Sequence, residues 1–242
     1  MKLSNAIGLK EKDILSIVGA GGKTSLMFQI AQDTREDNKV LVTTTTKIYL
    51  PHKDGVDFIG IGENEFFKYV KTKKKGIHVY GMEVDADNKM VGINEGHLDA
   101  VGTHFDYVLI EADGAKEKEI KGWRENEPVI YRGTTKTIGI LSIQALGKHI
   151  WENNVHRSKE FCKISNGQEG EIITLEHLFN MIVHPQGLFK NAKGEKILFI
   201  NKSDDMYYLD RAAALRNKVY SCGSKTLNRI IVGSIANNLY DV

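Results

Sequence analysis

The sequence predicts an α/β protein, a three-layer arrangement in which helices cover both faces of a mostly parallel sheet. Three observations carry this. Short apolar runs alternate along the chain with segments of helical periodicity, the signature of strands joined by crossover helices. The first apolar run, residues 14–18, leads straight into a glycine-rich turn and then into a helical stripe. No internal repeat or low-complexity linker interrupts the pattern.

Taken in order, residues 14–18 are apolar except for Ser16 and read as a strand. Residues 25–32 read as helix, with Leu26, Met27 and Ile30 forming its apolar stripe. Residues 40–46 are β-branched and strand-like. That strand is expected beside the first one, with its C-terminal end at the ligand crevice. Residues 64–73 look helical, with Phe66, Phe67 and Val70 on neighbouring faces. Residues 76–80 and 89–93 read as short strands with a turn at Asp85-Ala86-Asp87-Asn88. Residues 105–110 form another apolar run, ending in Glu111-Ala112-Asp113-Gly114. Further strands are expected at 138–142, 196–200 and 229–232. Helices are expected at 175–183, capped by Thr174, and at 208–219. The expected organisation is a single domain over 1–242, with a small β-rich excursion at 76–93 and a basic loop at 114–136.

Between the first strand and the first helix lies Gly19-Ala20-Gly21-Gly22-Lys23-Thr24, followed by Ser25. A Walker A loop is G-x-x-x-x-G-K-S/T, but here the first glycine of that spacing would fall at Ile17. The loop is therefore a shorter G-x-x-G-K-T form. It keeps what phosphate binding needs. Glycines let successive N–H groups turn inward, and the helix start adds its positive dipole end. Lys23 is expected on the β- and γ-phosphates and Thr24 on Mg²⁺. The fold class is thereby narrowed to a P-loop NTPase-like one.

Such a loop needs a carboxylate at the end of a nearby parallel strand. Glu111 and Asp113 are the candidates, one for the metal and the other for orienting water or substrate. Thr43-Thr44-Thr45-Thr46-Lys47 closes the second strand. A threonine there, Thr45 in particular, can reach Mg²⁺, and Lys47 can bind an anionic substrate. Asn201-Lys202-Ser203-Asp204 follows the strand at 196–200 and has the form N-K-x-D. Asp204 can accept two hydrogen bonds from a guanine, a donor pair that adenine lacks. Lys202 can lie over the base. GTP is thus favoured over ATP, with Mg²⁺ as the companion ion.

Basic residues in the loop after the carboxylates, Lys116, Lys118, Lys121, Arg124 and Arg132, suit a bound anion or partner, as do His156 and Arg157. The histidines lack the i, i+4 spacing of a zinc protease, and no G-x-S-x-G elbow is present. With 33 basic and 31 acidic residues the formal net charge is +2, which gives no reason to expect nucleic acid or a membrane as partner. No signal-peptide pattern or spanning apolar run appears, and Cys162 and Cys222 lack metal spacing. A cytoplasmic location is the expectation. The sequence says nothing of oligomeric state.

Four segments together resemble one family, the selenium-dependent molybdenum hydroxylase accessory proteins of the YqeC type. They are Val18-Gly19-Ala20-Gly21-Gly22-Lys23-Thr24, Val42-Thr43-Thr44-Thr45-Thr46-Lys47-Ile48, Leu109-Ile110-Glu111-Ala112-Asp113-Gly114-Ala115-Lys116 and Asn201-Lys202-Ser203-Asp204. Glu127-Pro128-Val129-Ile130 and Val155-His156-Arg157 also match family positions, whereas Asn126 stands where the family pattern has a histidine. The resemblance implies an accessory factor in maturation of a molybdenum hydroxylase or insertion of its cofactor, with selenium handling as one route. Two other readings stay open. One is an ATP-dependent kinase or ligase that activates a small anionic metabolite, since the short loop also resembles that of the Mur-type ligases. The other is a non-hydrolysing binder of a nucleotide-bearing cofactor.

Overall fold

The computed structural model describes residues 1–65, 71–223 and 227–242. At its centre is β1 (Ile14–Gly19), buried along nearly its whole length. β8 (Tyr107–Glu111) pairs with it on one side and β10 (Lys136–Ser142) on the other, both parallel. Beyond β8 come β2 (Lys39–Thr44), β5 (Gly76–Gly81) and β4 (Phe58–Ile61). Beyond β10 come β12 (Glu195–Asn201) and β13 (Arg229–Ser234). Only the edge strand β14 (Leu239–Asp241) is antiparallel, completing a nine-stranded sheet.

Side chains alternate across this sheet, so each strand feeds two cores. Ile17 packs with Leu26, Met27 and Ile30 of α2 (Lys23–Thr34), on the face that also carries α1 (Leu3–Ala6). Val18, the next residue, faces the opposite layer. That layer holds α3 (Glu95–Gly102), α4 (Ser158–Ser165), α5 (Leu175–Val183) and α6 (Met206–Ser221). Full burial of side chains such as Leu26 or Phe161 contributes about 1.5–3 kcal/mol each. The helices begin where side chains can cap them. Thr174 accepts from the His177 N–H, and Asp205 Oδ1 accepts from the Tyr208 N–H at 2.9 Å.

The expected fold class therefore holds, and α5 has the predicted bounds. One expectation about strand order does not hold. β2 lies two strands from β1, with β8 between them. A crossover helix can land about 10 Å away as readily as one strand spacing, and the gap admits the carboxylate-bearing strand. Residues 76–93 also divide differently. Residues 76–81 are β5 of the main sheet. A small antiparallel sheet instead forms from β3 (Lys47–Tyr49), β7 (Lys89–Val91) and β6 (Glu83–Val84). The turn at Asp85 is present, with Asp85 Oδ1 accepting from the Asp87 and Lys89 N–H groups. The helix expected at 64–73 includes residues 66–70, which lie outside the described residues.

A parallel pair, β9 (Ile120–Lys121) and β11 (Val155–His156), ties the basic loop to the segment before α4. Both cysteines are free thiols. Among the described residues no helix is long and apolar enough to cross a membrane.

Candidate functional site

The strands β8, β2, β5 and β4 lie on one side of β1, and β10, β12 and β13 on the other. A crevice at the carboxyl ends of such a sheet, where the order reverses, is the usual ligand site. The loop after β1 opens into a cleft of about 1100 Å³ there.

The loop's glycines are required by its geometry. Gly19 has φ +105, and a Cβ there would sit 2.1 Å from the Ile140 carbonyl oxygen. Gly22 has φ +126, and a Cβ would sit 2.5 Å from Asn201 Nδ2. α2 begins at the next residue, Lys23. Among the described residues the N–H groups of Gly21, Gly22, Lys23 and Thr24 have no protein partner. They form the donor-lined, positive helix end that suits phosphate oxygens. Asn201 braces the loop from β12. Its Nδ2 donates to the Gly21 carbonyl at 2.8 Å, and its Oδ1 accepts from the Ile235 N–H at 3.3 Å.

Lys23 is almost fully buried. Its Nζ donates to the Gly19 carbonyl at 2.8 Å and lies 3.5 Å from Glu111 and 3.4 Å from Asp113. Burial alone would lower its pKa, but the two carboxylates outweigh burial and raise it. Thr24 Oγ1 donates to Glu111 Oε2 at 2.7 Å. Burial raises the Glu111 carboxyl above its usual range in spite of Lys23 and Thr24. Lys23, Thr24 and Glu111 all line the cleft.

Asp113 is different. It has no exposed surface and does not line the cleft. Its carboxylate accepts from the Gly19 N–H at 3.1 and 3.2 Å and from Trp123 Nε1 at 2.7 Å, with Lys121 Nζ 3.1 Å away. Burial disfavours the charge, but Lys23 and Lys121 outweigh it and hold the carboxyl below its usual range. With its lone pairs engaged by these donors, Asp113 anchors the loop, which leaves Thr24 and Glu111 as the side chains here that could hold a metal ion. Among the described residues no cluster of three metal-ligating side chains exists.

Several other expected residues sit elsewhere. Thr45 Oγ1 donates to the Val129 carbonyl at 2.7 Å and is not among the cleft-lining residues, whereas its neighbour Thr46 is. Lys121 is buried rather than available to substrate, donating to the Gly114 carbonyl at 2.6 Å. Burial pulls its ammonium down to about 8 against the attraction of Asp113. Lys47 lines the cleft but pairs with Asp85 at 2.8 Å. Lys202 lines it and pairs with Glu119 at 2.7 Å, rather than lying free over a base. Asp204 accepts from Gln144 Nε2 at 2.9 Å and is not among the cleft-lining residues. Ser25, Lys116, His156 and Arg157 do line the cleft.

The sequence reading gives no role to Trp123 or Glu119, and takes Glu127 only as a matching family position. Glu127 pairs with Arg157, and Trp123 closes over the buried Asp113.

His156 is half-buried, and burial, then Lys121 and Lys116, push its pKa to about 4. The unfolded chain therefore takes up this proton first as pH falls. Stability contributed by a neutral His156 is present above about 6.5 and is lost between about 6.5 and about 4. His156→Gln is expected to flatten the acid limb of a stability-against-pH curve across that window. Superimposable limbs for the variant and the parent protein would count against this environment for His156. His78, with a similar shift, adds slope in the same window.

A sequence profile of the family described as YqeC protein matches residues 15–159. That span holds the glycine-rich loop, Glu111, Asp113, the basic loop and His156-Arg157, but not Asn201 to Asp204. A protein of Escherichia coli (strain K12) described as uncharacterized protein YqeC is 29% identical over 198 residues, covering 80% of this chain and 77% of the relative.

Proposed function

The chain belongs to the YqeC family, and from the geometry of its loop we propose that it binds a magnesium nucleoside triphosphate and hydrolyses it. The supporting observation is the junction at Gly22-Lys23-Thr24. There, unpartnered backbone donors, a helix start and a buried lysine meet the Thr24–Glu111 pair at the floor of the cleft. Phosphates would rest on the N–H groups of Gly21 to Thr24, and Lys23 would turn from Glu111 toward the β- and γ-oxygens. Thr24 would ligate Mg²⁺, while Glu111 orders its water shell. Chemistry of this kind is mostly positioning and charge stabilisation.

GTP is the favoured nucleotide in this proposal. Asn201 already clasps the phosphate loop, and Asp204 follows three residues later, in the segment between β12 and α6. Base recognition would require Asp204 to exchange Gln144 for the guanine donors. The hydrolytic cycle would serve maturation of a molybdenum hydroxylase or insertion of its cofactor, the role that the family resemblance implies.

Calorimetry with Mg²⁺ and GTP, GDP or ATP tests this. GTP is expected to bind more tightly than ATP. Asp204→Ala is expected to remove about 10–100-fold of that preference, the loss of charge-assisted hydrogen bonds. Equal affinities for the two nucleotides, unchanged in the variant, would remove guanine from the proposal and leave the phosphate site standing.

A further inference from the structure

The phosphate loop forms one wall of the cleft, whose lining also includes cations with no carboxylate partner among the described residues. Lys116 and Arg124 both line the cleft, and among the described residues neither has a carboxylate partner. Arg124 is presented from a braced backbone, since Lys190 Nζ donates to the carbonyls of Arg124 and Glu125 at 2.9 and 2.8 Å. Arg157 pairs with Glu127, and burial followed by its neighbour Arg124 lowers its pKa. His156 is held neutral in the same field. Lys47 and Lys118 stand apart, committed to Asp85 and to the Asn153 carbonyl.

Such an arrangement suits an anion. The phosphate loop has its own means of holding the nucleotide, in Lys23 and the start of α2. Resting on the nucleotide reading, we infer that Lys116, Arg124, His156 and Arg157 form a second subsite, which binds an oxyanion-bearing co-substrate at the same time as the nucleotide. Phosphate and carboxylate groups share the chemistry required: several acceptor oxygens and delocalised charge, matched to a guanidinium fork and an ammonium.

The test titrates inorganic phosphate, and separately succinate, into protein saturated with a non-hydrolysable GTP analogue and Mg²⁺. The variants are Lys116→Ala/Arg124→Ala and Lys23→Ala. Saturable binding of either probe to the nucleotide-loaded parent protein is expected, and the stronger probe identifies the anionic group. The double variant, changed only at exposed side chains, should weaken that binding by roughly tenfold or more while its affinity for the analogue stays within twofold. Two results overturn the inference: no probe binding to the loaded protein, or an equal loss of analogue affinity in the double variant. The second would mean that these cations grip the nucleotide's own phosphates.

Failure of the nucleotide reading gives a different pattern. If no nucleotide binds, phosphate is titrated into the free protein. Binding lost in Lys116→Ala/Arg124→Ala but kept in Lys23→Ala upholds the subsite alone. The reverse pattern overturns it.

Discussion

Lys23→Met is expected to abolish measurable stabilisation of the protein by Mg²⁺ and nucleotide, with affinity falling at least 10–100-fold, since charge-assisted hydrogen bonds are worth about 1.5–3 kcal/mol each. The same substitution should also destabilise the free protein, because Lys23 sits against two buried carboxylates. Removing one partner of a buried pair costs about 3–5 kcal/mol when the other is stranded as a charge. Here the loss is unequal. Asp113 retains Lys121, whereas among the described residues Glu111 retains only the Thr24 hydroxyl. Glu111 can relieve its exposure to low dielectric by taking a proton, and burial already raises its pKa.

The sign of the pH effect follows. A carboxyl raised in the folded state binds protons there more readily than in the unfolded chain, so its stability contribution grows as pH falls through the folded value. In Lys23→Met that value rises further. The stability deficit should therefore be larger at pH 8 than at pH 5, as read by urea unfolding at both. A deficit independent of pH would place the loss in packing rather than in Glu111. Nucleotide affinity within threefold of the parent protein would remove Lys23 from the phosphate site.

Much of this architecture is legible in the sequence because it follows from local chemistry. The glycines at 19, 21 and 22, the Lys23-Thr24 pair and the apolar strand before them could be read as one unit, since a tight strand-to-helix turn needs those residue types in that order. Leu175–Val183 was legible from its period and from Thr174 as its cap. What escaped reading is long-range. No local pattern distinguishes a crossover to the adjacent strand from one that skips a place, so the insertion of β8 beside β1 became visible only with the whole sheet. Glu111 and Asp113 look equivalent along the chain, two residues apart at the end of the same strand. They acquire different roles because Trp123 and Lys121, from another segment, fold over only one of them. Thr45 and Thr46 are likewise indistinguishable in a run of four threonines until Val129 offers a carbonyl to the first.

That division of labour makes Asp113 the residue whose loss should cost most. Four donors converge on it: the Gly19 N–H, Trp123 Nε1 and the ammonium groups of Lys23 and Lys121. Asp113→Ala would leave two buried cations and two buried N–H groups without this acceptor, and about 3–5 kcal/mol of stability should go with it. The phosphate loop should loosen as well, because Gly19 loses the anchor at its entry, so nucleotide affinity should fall although Asp113 touches no part of the cleft. A double-mutant cycle separates the charge from the packing. If the stranded ammonium of Lys121 is the main penalty, Asp113→Asn combined with Lys121→Met should cost less than the sum of the two single changes, because the pair is removed together. Additive losses would mean that the Gly19 and Trp123 hydrogen bonds dominate. A cost below about 1 kcal/mol for Asp113→Ala, the level of an ordinary surface change, would contradict the anchoring role outright.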